Sequence, residues 1–69
     1  MEAEKWGRRI RAFRKLKGFT QDRFSKELGV SVSILGEIER GNRMPPADLL
    51  KRVSQVLHVS IDEIAPPKE

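Results

Sequence analysis

The amino-acid sequence predicts an all-α protein, a compact bundle of five short helices, and two observations support this class. Apolar residues recur at spacings of three and four along most of the 69 residues, which is the period of an amphipathic helix. Gly, Pro and capping Ser or Thr residues separate the periodic segments, whereas the strict two-residue alternation of β-strands is missing. The predicted helices span residues 4–17, 21–28, 32–40, 46–57 and 61–64.

The first predicted helix has its apolar residues on one stripe, at spacings of four, three and three. The stripe consists of Trp6, Ile10, Phe13 and Leu16. Arg8, Arg11 and Lys15 fall on the opposite side of the helix, where we expect solvent. We expect the helix to end before Gly18, because a residue without a Cβ readily takes the left-handed conformation that follows helix ends.

Two short helices follow, each preceded by a hydroxyl residue. Thr20 and Ser31 can each accept a hydrogen bond from a free amide in the first turn of a helix. Gly29 and Gly41 are suited to end these helices. Their expected inward residues are Phe24, Leu28, Leu35 and Ile38. Ile34 is expected on a solvated flank.

The fourth predicted helix is the expected centre of the core. Pro46 suits its first turn, where a missing N–H needs no partner. Its broad apolar face consists of Leu49, Leu50, Val53, Val56 and Leu57. Ser60 and Glu63 have the spacing of a capping box, which predicts the start of the fifth helix. Ile61 and Ile64 can then seal the base of the domain.

Basic charge is concentrated near the N-terminus. The chain has a formal net charge of +4 and a pI of about 10.0. Residues 1–19 contain seven Lys or Arg against two Glu, whereas residues 20–69 are close to neutral. Such an excess attracts polyanions such as nucleic acid, and a solvated, solubilising face is the alternative interpretation.

The composition argues against catalysis and metal binding. Cys is absent and His58 is the single imidazole, which leaves no thiolate zinc site and no convergent set of ligands. Ser54, four residues before His58, is the one conceivable nucleophile, but nothing near it suggests an oxyanion site. Hydrophobic residues make up 38% of the chain, enough for one modest core without a deep cavity. We therefore expect no enzyme, cofactor, metal site or small-molecule ligand.

The ends of the chain carry little information. No signal-peptide pattern and no apolar run long enough to span a bilayer is present, so we expect a cytoplasmic protein without membrane attachment. Residues 1–64 are expected to form one domain. Residues 65–69 lack apolar periodicity and are expected to form a flexible tail.

The second and third predicted helices have the dimensions of a helix-turn-helix. They are short, and only residues 29–31 join them. In this motif the second helix lies in the major groove of DNA, whose width of roughly 12 Å admits a helix, and the first helix crosses the phosphate backbone. The spacing therefore indicates residues 32–40 as a recognition helix.

The sequence of this segment also resembles a known family. The run TQDRFSKELGVS (residues 20–31), followed by IERG (residues 38–41), is similar to the XRE-type, lambda-repressor-like helix-turn-helix regulators of bacteria and phages. The likeness continues through Ile10, Arg14 and Pro45 and through residues 57–64, so it covers most of the chain. It implies a DNA-binding regulator of transcription.

The resemblance implies groove-facing positions on the recognition helix, namely Ser31, Val32, Ser33, Gly36 and Glu37. The two Ser can bond to phosphates or bases, Val32 can touch a thymine methyl group, and Glu37 can accept from cytosine. Gln and Arg, which read purines with two hydrogen bonds, are missing at these positions. The sequence departs here from what a strong base reader carries.

The resemblance also implies roles outside the groove. Gln21 would contact phosphate and support the recognition helix through its amide, and Arg14 and Glu39 would form a structural ion pair between the first and third helices. Backbone contacts would come from Arg40, Asn42 and Arg43.

Two other functions stay open at this point. The same fold could dock another regulatory protein through Val32, Ile34, Gly36 and Glu37, and the first helix could attach to a membrane surface. The expected partner is double-stranded DNA, read in paired half-sites by a weak homodimer or together with another regulatory protein. Ile61, Ile64 and the tail are the residues available for pairing of two copies.

Overall fold

A computed structural model describes residues 2–67 of the chain. Its helices are α1 (Glu2–Leu16), α2 (Gln21–Leu28), α3 (Val32–Glu39), α4 (Ala47–Leu57) and α5 (Ile61–Ile64). The prediction of an all-α bundle of five helices is confirmed, and no strand occurs within residues 2–67. In this same part of the chain no helix has the length and apolar character that crossing a membrane requires.

Four predicted helix ends were wrong by one or two residues. The first helix starts at Glu2 and stops at Leu16, with Glu2 and Glu4 in its first turn, where acidic groups favour the helix dipole. The third helix ends at Glu39, and Arg40 is its C-cap. Pro46 is the N-cap of α4 and not a first-turn residue, because its ψ of 156° is extended. Of the predicted tail, residues 68–69 lie outside the described part of the chain, and its flexibility stays a prediction.

The predicted caps are confirmed. The hydroxyl oxygens of Thr20, Ser31 and Ser60 each accept a backbone N–H three residues further on, at 3.1 Å in every case. Gly29, in the left-handed conformation at φ 77°, ends α2. These local signals keep α2 and α3 short and separate, so that the two helices turn sharply between residues 28 and 32.

One apolar core joins all five helices. Its members are 0–8% exposed and are Ile10, Phe24, Leu28, Leu35, Ile38, Leu49, Leu50, Val53, Leu57 and Ile64. The fourth helix contacts α1, α2 and α5, as its broad apolar face predicts. Trp6 and Phe13 pack half-buried against this core.

Two apolar residues lie where the sequence did not predict them. Leu16 is 75% exposed, because it lies about 120° around α1 from the buried Ile10. Ile34 packs half-buried against the core, since it lies one turn before Ile38 and shares its face. The expected positions of both residues were therefore wrong.

The first and third helices approach each other closely at two glycines that the sequence analysis did not single out for this role. A Cβ on Gly7 would lie 2.1 Å from the carbonyl oxygen of Ile38. A Cβ on Gly41, whose φ is 83°, would lie 2.6 Å from Cγ of Glu4. Only glycine fits between these backbones, and this contact sets the position of α3 relative to α1.

Candidate nucleic-acid interface

A buried ion pair locks α3 to α1. Arg14 Nε donates to Glu39 Oε2 at 2.7 Å, and Arg14 Nη2 donates to Glu39 Oε1 at 3.1 Å. The two side chains are 9% and 2% exposed. Arg14 Nη1 also donates to the carbonyl oxygen of Phe19, in the turn before α2. Three elements are thus held in one geometry, and both charged groups have hydrogen-bonding partners.

Gln21 extends this network to the helix-turn-helix. Its Nε2 donates to Glu39 Oε1 at 3.0 Å, which ties the first residue of α2 to the last residue of α3. A side-chain amide has two N–H groups and one carbonyl oxygen, so this bond leaves Gln21 one N–H and its oxygen for a ligand. The structure therefore assigns Gln21 a supporting contact and leaves part of its amide available.

An open polar cleft lies beside this network. It is lined by Arg11, Arg14, Thr20, Gln21, Glu39 and Arg40, and we call it the arginine cleft. Arg14 neutralises Glu39 directly, which leaves Arg11 and Arg40 as exposed cations facing the first turn of α2. Free amides in the first turn of a helix favour anions, so the cleft combines two kinds of phosphate-binding group.

Arg11 was not among the predicted site residues. Its position one turn before Arg14 was a partial signal, because residues three apart share one side of a helix. The sequence analysis assigned it only to the solvated side of α1. The structure brings it to the same cleft as Gln21 and Arg40.

The start of α3 is exposed, as the groove-facing positions require. Ser31, Val32 and Ser33 are exposed, and Val32 is 42% accessible. The Ser31 oxygen accepts from the N–H of Ile34, so its own hydrogen remains available to a phosphate or a base. This corner of the domain thus presents two hydroxyl groups and one small apolar side chain.

Gly36, one of the expected groove-facing positions, is buried, and its role in the groove stays a prediction. The Arg40 guanidinium folds back over it, and a Cβ on Gly36 would lie 3.0 Å from Arg40 Nη1. A glycine one turn before Arg40 therefore gives this guanidinium room to lie along α3. The exposed surface at this position is that of Arg40.

The partly exposed acidic residue of the recognition helix is paired. Glu37 Oε2 lies 3.4 Å from Arg43 Nη2, and the two side chains are 37% and 50% exposed. Asn42 is exposed in the same loop, and its backbone N–H donates to the carbonyl oxygen of Glu37 at 2.9 Å. Arg43 thus offsets the repulsion that the Glu37 carboxylate would exert on a nearby phosphate.

The residues considered for other chemistry have structural surroundings. Ser54 Oγ donates to the carbonyl oxygen of Val59, and His58 is an exposed C-cap of α4 in the left-handed conformation. Within residues 2–67 no three His, Cys, Asp or Glu side chains converge as metal ligands would.

The fold and this corner of the domain define a class of protein, a helix-turn-helix domain in which α2 and α3 form the motif. The family model HTH_3, described as helix-turn-helix, matches residues 10–64, and the chain belongs to this family. The predicted resemblance is confirmed.

Its relatives are regulators of transcription. YazB of Bacillus subtilis (strain 168), an uncharacterized HTH-type transcriptional regulator, is 67% identical over 69 residues and covers the full length of both chains. The HTH-type transcriptional regulator SinR of the same organism is 36% identical over 63 residues, which are 90% of this chain and 57% of SinR.

Solved structures share the fold. The clp gene regulator ClgR of Corynebacterium glutamicum superimposes with a TM-score of 0.89 at 31% identity, over 93% of this chain and 68% of that chain. The structure of SinR, the master regulator for biofilm formation, in complex with DNA gives a TM-score of 0.80 at 37% identity, over 86% of this chain and 95% of that chain.

Proposed function

We propose that this protein is a DNA-binding regulator of transcription that places α3 in the major groove and carries out no catalysis. The observation that carries the proposal is the arginine cleft between α1, the start of α2 and the end of α3, next to the exposed start of α3. Similarity to SinR, whose structure was solved in complex with DNA, supports DNA binding. A DNA-binding role implies a cytoplasmic location, because a bacterial chromosome lies in the cytoplasm.

Phosphate contacts would supply most of the affinity. Arg11 and Arg40 would hold one phosphate at the start of α2, together with the free part of the Gln21 amide. Asn42 and Arg43 would meet the backbone as the chain leaves the groove. Because each neutralised phosphate releases condensed counterions, binding should weaken steeply as salt is raised.

Base contacts would be few. Ser31, Val32 and Ser33 are the exposed residues at the start of α3, and Glu37 is the polar residue one turn further on. They can reach a thymine methyl group, a cytosine amine or a hydrogen-bonding base edge, without the paired contacts that Arg or Gln make to purines. We therefore infer modest sequence preference on top of strong phosphate binding.

Pairing on DNA would be weak. Ile64 is fully buried in the core, which removes it from the residues expected to join two copies, and Ile61 is half-buried. We propose that single copies bind half-sites about 34 Å apart, with any contact between them formed on the DNA. The alternative of protein docking through α3 has less support, because Ile34 packs half-buried on the core and Arg40 covers Gly36.

The test is a selection from randomised duplexes at physiological salt, followed by affinity measurements as salt is raised. We expect an enriched short motif and a steep salt dependence. Arg40→Ala and Arg11→Ala should each weaken binding and reduce the slope of log affinity against log salt by about one. Lys51→Ala, which removes an exposed charge from α4, is the matched control. No enrichment, or equal effects of all three variants, would contradict the proposal.

A further inference from the structure

The outer side of α1 carries a partly apolar surface that lies outside the candidate DNA site. A shallow groove there is lined by Arg8, Arg9, Ala12, Phe13 and Leu16, and we call it the α1 patch. Leu16 is 75% exposed, Ala12 is exposed, and Phe13 is half-buried. A small domain has few apolar residues, and exposure of Leu16 keeps one of them out of the core. This is a reason to look for a partner at this position.

The apolar end of the α1 patch, at Leu16, faces away from the arginine cleft. Leu16 lies about 140° around the helix from Arg11 and about 160° from Arg14, both of which line the cleft. A partner on the α1 patch would therefore leave α3 and the start of α2 free. Under the proposed function, the patch stays accessible while the protein is bound to DNA.

The rim of the α1 patch is basic, and among residues 2–67 no acidic side chain lines it. Arg9 is held in place, since its Nε donates to the carbonyl oxygen of Ile64 at 3.0 Å and its Nη2 donates to that of Glu63 at 2.6 Å. Its guanidinium carbon also lies 5.9 Å from the centre of the Phe13 ring. Because this cation is already ordered and keeps unused N–H groups, binding a carboxylate there requires little further ordering.

The residues of the α1 patch form a straight ridge. Arg8, Ala12 and Leu16 are spaced four apart, so they line up along α1 over about 12 Å, the length of two helical turns. Such a ridge fits the groove of another helix. A phosphate ligand would gain nothing from an exposed leucine. A second copy docked through the same patch would place the positive charges of Arg8 and Arg9 next to those of the other copy.

We propose that the α1 patch docks an acidic amphipathic helix of another protein. An apolar side chain of that helix would lie on Leu16 and Phe13, and its carboxylates would pair with Arg8 and Arg9. This surface differs from the groove-facing side of α3, and its partner could join the regulator while DNA is bound.

A peptide selection tests this proposal. A phage-displayed library of random 16-residue peptides is selected on the full chain, and in parallel on Leu16→Ser and Met44→Ser. Met44 is 45% exposed and lies outside the patch, so its variant controls for loss of an exposed apolar side chain. We expect peptides that combine Asp or Glu with Leu or Phe at helical spacing, enriched on the wild type and on M44S and lost on L16S.

The affinity of the most enriched peptide is then measured by fluorescence anisotropy. Leu16→Ser and Arg8→Ala should each weaken it roughly tenfold, and the control variants M44S and Lys51→Ala by less than about twofold. Amide NMR shifts should fall in residues 8–16. Enrichment that persists on L16S, no enrichment, or Leu16-dependent binding to anionic lipid vesicles instead of peptide would overturn the proposal.

The DNA affinity of L16S separates this proposal from the proposed function. If L16S binds DNA like the wild type and the peptide result fails, the docking proposal alone is wrong. If DNA binding of the wild type is absent while the peptide selection succeeds, only the proposed function is wrong.

Discussion

Replacing Gly7 with Ala should destabilise the domain, because the added Cβ pushes α1 away from α3. An added Cβ would lie 2.1 Å from the Ile38 carbonyl oxygen and 2.9 Å from that of Glu39. Reaching 3.0 Å, below which Cβ contacts essentially never occur, requires a shift of about 0.9 Å at the first of these contacts. The obstacle is the backbone of a packed helix, which has no other rotamer to adopt.

The magnitude follows from two opposing effects. Overpacking against a rigid neighbour costs about 3 kcal/mol, the upper part of its usual range. Ala in place of Gly stabilises a helix interior by about 1 kcal/mol. Gly7→Ala should therefore lower the free energy of unfolding by about 2 kcal/mol, and Tm by roughly 8–16 °C for a domain of this size.

Gly36→Ala is the matched control. It brings the same helix propensity, and its Cβ would meet only the movable end of Arg40 at 3.0 Å. We expect it to be as stable as the wild type or up to about 1 kcal/mol more stable, while displacement of Arg40 weakens DNA binding. Urea denaturation of all three proteins, followed by far-UV circular dichroism, measures the difference. Equal stability of the two variants would refute the reasoning about the α1–α3 contact.

Further predictions concern the buried ion pair and the recognition helix. Glu39→Ala should cost about 3–5 kcal/mol in the free energy of unfolding, because it leaves Arg14 buried without its counter-charge. Adding Arg14→Met should recover most of that loss, and a double variant no more stable than the single one would contradict this in thermal denaturation. Glu37→Gln should raise DNA affinity severalfold in anisotropy titrations, since it removes a carboxylate near the phosphates and frees Arg43. Ser31→Ala should cost about 1 kcal/mol through the lost cap, measured by urea denaturation, and no loss would show that the 3.1 Å bond to Ile34 N–H contributes nothing.

The order and type of the helices followed from the sequence because their signals are local. Thr20, Ser31 and Ser60 each cap a helix within three residues, and Gly29 ends one through its own φ angle. Helix periodicity likewise indicated the inward face of α4. Such features depend on neighbours along the chain, which a sequence displays directly.

The wrong predictions about side-chain burial concern packing between helices. Leu16 fits an apolar stripe by spacing alone, but it lies on the far side of α1 from the core. Gly7 gives no sequence signal for a close approach to α3, because that distance depends on the packing of the whole bundle.

The arginine cleft shows the same limit. Gln21 and Arg40 were named from a family resemblance, whereas Arg11 lies on another helix and joins them only in the folded protein. Spacing from Arg14 placed Arg11 on the correct side of α1. The spacing could not show which residues of other helices lie next to that side.

The most direct test of the central claim is an amide NMR titration of the full chain with a short duplex taken from the selection. We expect the largest shifts at residues 20–21, at residues 31–33 and at Glu37 and Arg40, with residues 8, 12 and 16 unchanged. Shifts concentrated on the outer side of α1 or on α4 and α5, or none at saturating duplex, would contradict the placement of α3 in the major groove.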